Sequence, residues 1–380
     1  MPDETPSAAE LRAVFDAPAP VSVGLEEELM LLDAGTLDLA PRAPEVLEAL
    51  AGDARFKLEM PAAQLEIVTA PHADVPAAAA ELLAARRALV ESLGGDLRVA
   101  AAGAHPFAAG VGPLNPGERY EAIEAEYASV ARRQLVFGLH VHVALRGAER
   151  ALAVHDALRS HLPELAALAV NAPFYEGRDS GLASVRSRIS GLLPRQGVPP
   201  ALGSWEAYAE ALRWSPFEDA RQWWWELRLH PVYGTVEVRV PDTQATVADS
   251  AAVGAVVHAL VLRLAARYDA GEALPVADSW RIDQNRWAAC RHGLDAMLAD
   301  LGTGARRPAR ERLAELLDEL APEAAALGCS AELARARELA GVNGAMRQRA
   351  VARERGLHGL VAALADAFAA DGVSTAQALG

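Results

Sequence analysis

Acidic and imidazole side chains alternate with apolar residues in two short segments of the chain. In VGLEEELMLLD, Glu26 and Glu28 lie two residues apart inside an apolar run, and in FGLHVHVAL, His140 and His142 do the same. Successive side chains of a β-strand point to opposite faces, so each pair shares one face. Two buried carboxylates repel each other, and a divalent cation between them removes that cost. The first pair alone also fits an exposed, charged edge strand.

The two histidines fit either a metal site or a pair of hydrogen-bonded core residues, since neutral imidazole is a common ligand. In GTVEVRVPD, Glu237 and Arg239 share one face of a strand. They fit a simple ion pair, or a site in which the carboxylate binds a metal and the guanidinium binds phosphate oxygens. Glu66 lies in another apolar run, which suggests a buried carboxylate with a partner. The direction of Glu59 is open, because Pro61 breaks the pattern beside it.

Four arginines, Arg178, Arg186, Arg188 and Arg195, occur in a segment rich in Gly, Pro and Ser. The net charge of the chain is −15, so this segment is a local basic island, either a functional loop or a solvated one. Oxygen-rich ligand sets favour Mg²⁺ or Mn²⁺ over zinc. Carboxylates combined with arginine indicate phosphoryl transfer from a metal–nucleotide complex, and no Walker A sequence or kinase-type glycine loop offers another nucleotide site.

Composition narrows the class of protein and its partners. The chain has 380 residues, of which 52% are hydrophobic and 23% charged, as in a globular protein with a sizeable core. Its negative charge argues against nucleic acid and anionic membranes as partners. Two distant cysteines, Cys290 and Cys329, indicate neither a disulfide framework nor a zinc site, and the cytoplasm is the expected compartment. The N-terminus lacks the pattern of a signal peptide.

Strands and helices that alternate along the chain must position these side chains. We expect residues 1–20 to be a loose leader with one short helix, and residues 21–380 to form a single catalytic domain. Strand patterns flank helices up to the hairpin around Tyr233 and Gly234, and the chain from Val247 onward is expected to be nearly all helix. The apolar stretch 253–266 reads as a buried helix. The pattern predicts an α+β fold with a mainly antiparallel sheet.

The sequence resembles a known family, the type 2 glutamate–cysteine ligases, also called carboxylate–amine ligases. The resemblance is carried in order by VGLEEELMLLD, QLEIVTA, FGLHVHV, NAPFYEGRDSGLASVRSRISGLLPRQGVPP, GTVEVRVPDTQATVADSAAVGAVVHALV and NRWAACRHGLDA. It implies a glutamine synthetase-like fold, in which a curved, mainly antiparallel sheet forms an active-site funnel with helices packed outside. It also implies ATP-dependent joining of the γ-carboxylate of glutamate to an amine, with release of ADP and phosphate.

The resemblance also implies roles for individual residues. The family's divalent cations, Mg²⁺ or Mn²⁺, correspond to a ligand set of Glu26, Glu28, Glu59, Glu66, His140 and Glu237. His142, Arg228 and Arg178 are expected to bind ATP, with His142 as a phosphate contact. Arg239, Arg186 and Arg188 are expected to stabilise the transferring group. Glu27, on the other face of its strand, is expected to be structural or paired with a basic residue.

Cysteine is the expected amine, which places the chain in glutathione or low-molecular-weight thiol biosynthesis. The chain departs from the family pattern at Phe137, where many relatives have Cys, and at His72, where relatives often have a small or thiol residue. If either lines the acceptor pocket, another amine is the substrate. A guanidino kinase-like phosphotransferase of the same superfamily, a metal-dependent hydrolase and a non-catalytic relative are the alternatives. A homodimer remains open.

Overall fold

The computed structural model of the chain describes residues 5–17, 20–214 and 223–372. Its strands are β1 (Ser22–Asp33), β2 (Phe56–Leu58), β3 (Gln64–Val68), β4 (Leu97–Ala100), β5 (Leu139–Ala144), β6 (Phe174–Tyr175), β7 (Arg178–Asp179), β8 (Leu227–His230), β9 (Thr235–Val238), β10 (Met297–Ala299) and β11 (Arg306–Pro308). Seven of these described strands form one sheet in the order β2-β3-β1-β5-β9-β8, with β4 also paired to β1. Every pair in this sheet is antiparallel, so the predicted fold class is confirmed.

Strand register brings the predicted ligands together. β1 is the long central strand, and it pairs with β3 on one side, while its first half pairs with β5 on the other. The residues that lie directly opposite each other are Glu28 and Glu66, Glu26 and His140, and His142 and Glu237. Residues that are distant in sequence therefore share one face of the sheet.

The helices of the described residues cover the sheet. They are α1 (Ala8–Asp16), α2 (Ala43–Ala49), α3 (Val75–Ser92), α4 (Glu118–Tyr127), α5 (Ala148–Leu158), α6 (Leu162–Ala169), α7 (Arg186–Ser190), α8 (Trp205–Leu212), α9 (Val247–Asp269), α10 (Ser279–His292), α11 (Ala309–Glu319), α12 (Ala321–Ala326), α13 (Ser330–Gly341) and α14 (Gly344–Gly372). α3 begins as the sequence predicts, because the Asp74 side chain accepts a hydrogen bond from Ala77 N. α14 is interrupted at Gly356, where φ is +69°.

The apolar face of the sheet packs against α9. Leu25 and Leu29 of β1 and Val141 of β5 are fully buried in a core that includes most of this helix. Gly254 allows the close approach, since a Cβ there would lie 3.1 Å from Leu25 Cδ2. By length and composition α9 could cross a membrane, but 83% of its most apolar window is buried inside the protein, as expected for a core helix.

One expectation about the start of the chain needs correction. Residues 8–16 are not loose, because Leu11 and Phe15 of α1 are buried and Phe15 packs on Trp205 with ring centroids 5.2 Å apart. Residues 1–4 and 18–19 lie outside the described part of the chain. The described region after Val247 is nearly all helix, as expected, except that β10 and β11 form a hairpin whose turn is held by the Asp300 carboxylate. The extent of the catalytic domain stays a prediction.

Candidate active site

A pocket opens on the face of the sheet opposite α9. It is lined by five of the six predicted metal ligands, Glu26, Glu28, Glu59, Glu66 and His140, together with Arg186, Arg228 and Arg239. Glu237, the sixth predicted ligand, is fully buried and lies in contact with Arg239 at the pocket wall. His142 also joins the cluster, with its Nε2 3.2 Å from Glu26 Oε1. The fold therefore collects ten of the twelve predicted site residues in the pocket or against its wall.

Two groups of side chains in this cluster could each hold a cation, and they share Glu26. One group is Glu26, Glu66 and His140, and the other is Glu26, His142 and Glu237. Within each group the potential ligand atoms lie within 4.8 Å of one another. Sharing of one carboxylate between two groups is compatible with a two-metal site.

The imidazole nitrogens test whether a metal fits these groups. Nδ1 of His142 is hydrogen-bonded to Thr235 Oγ1 at 2.8 Å, and Nδ1 of His140 lies 3.1 Å from Glu26 Oε2. The Nε2 atoms of both histidines are buried and form no hydrogen bond among the described residues, although Nε2 of His142 lies 3.2 Å from Glu26 Oε1. Buried polar atoms are rarely left unsatisfied, and one ring nitrogen held while the other is free is the usual state of a metal-binding histidine. The residues fit a cation.

Nearby positive groups stabilise the charged form of some carboxylates in this cluster but not of others. Burial disfavours the charge of Glu26, but His142 and His140 outweigh it and hold the pKa of Glu26 well below its ordinary value. Burial likewise acts against the charge of Glu237, and Arg228 and Arg239 keep the pKa of Glu237 low. These two carboxylates are therefore ionised at neutral pH.

The pKa values of two neighbouring carboxyls are raised instead of lowered. Burial, and then repulsion from Glu59, raises the pKa of Glu28 to about 7. Burial together with Glu26, Glu59 and Glu28 raises the pKa of Glu66 well above its ordinary value. The pocket therefore holds more carboxyl groups than its positive charges can compensate, and protons occupy places that a divalent cation could take.

The two histidines also differ from each other. Burial, with the nearby Arg239, lowers the pKa of His140 to about 4, so this imidazole is neutral and suited to bind a metal. Burial acts on His142 in the same sense, but Glu26 and Glu237 outweigh it and raise the pKa of His142. A cation between Glu26 and Glu237 would replace the positive charge that His142 otherwise supplies.

Arginines border the carboxylate cluster on the β8–β9 side. Arg228 binds Glu237 with two hydrogen bonds, Nε to Oε2 at 2.7 Å and Nη2 to Oε1 at 3.0 Å. Arg239 donates to Glu237 Oε1 at 2.5 Å and lies 3.3 Å from His140 Nδ1. Arg186 reaches the pocket across Gly138, where a Cβ would overlap its Nη2 atom. These guanidinium groups could hold the oxygens of a phosphate.

Two predicted arginines lie outside the pocket, and two predicted metal ligands lie outside the cation groups. Arg178 is the clearest correction, because its side chain is 74% exposed and paired with Glu176 in the β6–β7 hairpin. Arg188 lies against Trp287, with its guanidinium carbon 5.6 Å from the ring centroid, and lines a neighbouring side pocket. Glu28 and Glu59 do line the main pocket, but they belong to neither cation group.

The two departures from the family pattern also lie outside the pocket. Phe137 is fully buried in an apolar cluster with Met30 and Phe174. His72 faces Glu81 of α3, to which its Nε2 is hydrogen-bonded. Neither residue lines the pocket, so neither argues against cysteine as the acceptor.

Glu27 behaves as the sequence predicts. It is fully buried on the face opposite Glu26 and Glu28, and Arg86 of α3 binds it through Nε and Nη2, each at 2.9 Å. Ser250 of α9 donates a further hydrogen bond to Glu27 Oε1. This glutamate is therefore an internal structural residue.

Several pocket residues were not predicted as site residues. They include Lys57, Arg119, Trp224, Glu226, His230 and Tyr233. A signal for two of them exists in ELRLH, where Glu226, Arg228 and His230 alternate with Leu227 and Leu229. The same parity argument that identified the histidine pair would have placed Glu226 and His230 beside Arg228.

The fold and the site define an α+β protein with a mainly antiparallel sheet, which carries carboxylates, imidazoles and arginines on one face and helices on the other. The model of glutamate–cysteine ligase family 2 matches residues 22–364, and the chain belongs to that family. "Putative glutamate–cysteine ligase 2-3" of Rubrobacter xylanophilus is 40% identical over 367 residues, which cover 93% of this chain and 99% of the relative. "Putative glutamate–cysteine ligase 2-1" of Frankia casuarinae is 34% identical over 357 residues, 90% of this chain and 93% of the relative.

Solved structures support the fold independently. The glutamate–cysteine ligase of Francisella tularensis, in complex with AMP, matches 95% of this chain and 91% of its own, with a TM-score of 0.67 and 13% identity. A bifunctional glutathione synthetase from Pasteurella multocida matches 96% of this chain and 54% of its own, with a TM-score of 0.65 and 14% identity. At this identity the likeness shows the fold.

Proposed function

We propose that the chain is an ATP-dependent ligase that joins the γ-carboxylate of glutamate to an amine, with cysteine as the first candidate. The observation that carries this proposal is the pair of cation groups sharing Glu26, bordered by Arg186, Arg228 and Arg239 in one pocket. Membership of the glutamate–cysteine ligase family supports glutamate as the donor. The AMP in the Francisella structure supports an adenine nucleotide as the energy source.

Mg²⁺ or Mn²⁺ is the cation that suits the site. Each group combines two carboxylates with one imidazole, and oxygen-rich sets favour these hard ions. Glu26, Glu66 and His140 would hold one ion, and Glu26, His142 and Glu237 the other. Divalent cations supply charge neutralisation on phosphoryl oxygens during transfer.

The reaction would proceed in two chemical steps, in which arginines of the pocket stabilise the transferring group. The γ-carboxylate of glutamate attacks the γ-phosphorus of ATP, ADP leaves, and an acyl phosphate forms. The unprotonated amine then attacks the acyl carbon, an amide forms, and phosphate leaves. Arg239 and Arg186 are placed to stabilise the oxygens of the transferring group in both steps. No nucleophile of the protein is required.

Cysteine stays the first acceptor to test. The relatives carry its name, and the two sequence departures that opposed it, Phe137 and His72, are held away from the pocket by the apolar core and by Glu81. Another amine remains the alternative substrate.

Incubation with Mg²⁺, ATP, glutamate and a panel of amines tests the function. We expect ADP release that depends on both glutamate and amine, and a product with the mass of a γ-glutamyl amide. A phosphorylated guanidine as the product would instead identify a guanidino kinase-like phosphotransferase. Hydrolysis of a substrate without ATP would identify a hydrolase and overturn the proposal.

A further inference from the structure

We infer that a side pocket next to the active-site pocket binds a substrate carboxylate that takes no part in the reaction. The side pocket lies between α7, residues 191–198 and the start of α10, and its polar lining includes Arg188, Arg195, Ser187, Ser279 and Asp283. This inference rests on the proposed ligase function and adds to it the way in which an amino-acid substrate is recognised.

The side pocket borders the active-site pocket, and Leu193 and Gln196 line both of them. The segment that carries these two residues is fixed against the strand that carries Arg228, because Glu226 N donates to Gly197 O at 2.9 Å. Glu226 itself is held by two hydrogen bonds from Arg286, at 2.8 and 2.7 Å. The residues shared by the two pockets are therefore held in a fixed position.

Arg195 is held in place by aromatic rings. Its guanidinium carbon lies 5.6 Å from the ring centroid of Trp223 and 5.9 Å from that of Trp224, and Nη2 donates to Tyr127 Oη. Its backbone has φ +57°, a conformation that is uncommon for residues other than glycine. Strained backbone of this kind concentrates at binding and catalytic sites.

The charge of Arg195 has no counterpart in the described part of the chain. Neither Arg195 nor Arg188 forms an ion pair there, and Nε of Arg195 is buried without a hydrogen-bond partner. Asp283 lies on the same wall, is exposed and pairs with neither arginine. The contrast with Arg86 and Arg228 is clear, since each of those arginines holds a carboxylate with two hydrogen bonds.

Two arginines without an acid, in a chain of 51 acidic and 36 basic residues, favour an anion from outside. The planar guanidinium matches a carboxylate with two parallel hydrogen bonds. Two substrates of the proposed reaction offer such a group, since glutamate has an α-carboxylate and an amino-acid acceptor has its own. The shared chemistry is therefore a free α-carboxylate.

Steady-state kinetics with Arg195→Gln and Arg188→Gln would test the inference. Arg353→Gln, an exposed arginine on α14, is the matched control. The substrates are compared in pairs that differ by one carboxylate: L-glutamate with its α-amide, and L-cysteine with cysteamine. We expect KM to rise at least about tenfold for the substrate whose carboxylate is bound, with little change in kcat and no change for its partner lacking that group.

The affected pair identifies the source of the carboxylate. A rise for glutamate but not its α-amide assigns the side pocket to the donor, and a rise for cysteine but not cysteamine assigns it to the acceptor. Equal rises within both pairs would mean that the arginines only support the wall, and no rise at all would mean that nothing binds them. Either result overturns the inference.

Calorimetric titration of L-glutamate and L-cysteine, with Mg²⁺ and ADP present, separates this inference from the proposed function. Should the wild-type protein form no amide, the ligase proposal fails, while the titration still tests the side pocket. Binding that weakens at least about tenfold in Arg195→Gln and Arg188→Gln but not in Arg353→Gln supports it. Equal binding in all four proteins, or no binding to the wild type, refutes it.

Discussion

The two faces of β1 treat the same residue type in opposite ways. Glu27 is fully buried and receives two hydrogen bonds from Arg86 and one from Ser250. Burial raises the pKa of Glu27 all the same. On the other face Glu28 is also buried, and there repulsion from Glu59 adds to burial and raises the pKa of Glu28 to about 7. Burial of a carboxylate is therefore no sign of function by itself. A functional site is indicated instead by a cluster of buried carboxylates whose negative charge exceeds the positive charge of the side chains around it.

On the Glu27 face, every hydrogen-bond donor of Arg86 has an acceptor. Its five N–H donors are all used: two bind Glu27, two bind the backbone oxygens of Gln244 and Ala245, and one binds Asp371. Nothing is left for a ligand. On the active-site face, in contrast, the buried Nε2 atoms of His140 and His142 form no hydrogen bond among the described residues.

The largest expected effect comes from removing the partner of Glu27. Arg86→Met leaves Glu27 as a buried, unpaired carboxylate, so we expect the free energy of unfolding to fall by about 3–5 kcal/mol. Urea unfolding monitored by circular dichroism measures it. Glu66→Gln on the other face is the control, and we expect it to keep the stability of the metal-free protein, since burial and the neighbouring carboxylates raise the pKa of Glu66 and so disfavour its charged form. A loss in Glu66→Gln as large as in Arg86→Met would contradict the contrast.

Substitutions of adjacent glutamates in β1 should have different effects: some should lower activity and another should lower stability. Glu26→Gln removes a residue common to both cation groups, and we expect kcat to fall at least about 100-fold in a folded protein. Glu28→Gln and Glu237→Gln should show losses of the same order. Glu27→Gln, one residue away, should keep measurable turnover and lose stability instead. Near-normal kcat in Glu26→Gln and Glu237→Gln would remove the basis for the metal site.

A smaller effect concerns pH. Folding raises the pKa of Glu28 from 4.5 to about 7, so the folded chain binds more protons than the unfolded chain, and its stability falls as pH rises through 7. Between pH 6.5 and 8.5 we expect a loss of about 1 kcal/mol in the metal-free protein. The measurement is the difference between wild type and Glu28→Gln in urea unfolding, which cancels other titrating groups. Saturating Mn²⁺ should abolish this difference, and a pH slope that is the same in both proteins would refute the assignment.

The smallest effect is expected at the cysteines. Cys290 is buried and its thiol donates to Ser184 O at 3.0 Å, and Cys329 is buried near Leu327 O. Because no covalent step involves the protein, a Cys290→Ser and Cys329→Ser double variant should keep kcat within about twofold. The ADP-release assay checks this. An inactive but folded double variant would indicate covalent chemistry instead.

Strand parity made much of the site predictable. The alternation in FGLHVHVAL places His140 and His142 on one face, and the same rule separates Glu27 from Glu26 and Glu28. These assignments need only local geometry, because a strand side chain has just two directions. Which strands pair is a different matter, since the register of Glu28 with Glu66 depends on contacts across 38 residues of chain, 66 − 28.

Outside the long strands, the sequence predicted the positions of side chains and elements less well. Arg178, Arg186 and Arg188 look alike in a loop, but a hairpin exposes the first, while the short helix α7 turns Arg186 to the main pocket and Arg188 to the side pocket. The hairpin of β10 and β11 was missed because its strands have three residues each, too few for a period to show.

The reach of Arg86 has a consequence for how the protein is made. Its hydrogen bond to Asp371 joins residues separated by 285 positions, and the same carboxylate accepts from Val247 N at the start of α9. Until residue 371 has been synthesised, one donor behind the central strand and the first turn of the core helix lack this acceptor. The hydrogen bonds behind the central strand are therefore completed by α14, which is synthesised after the strands that carry the predicted ligands.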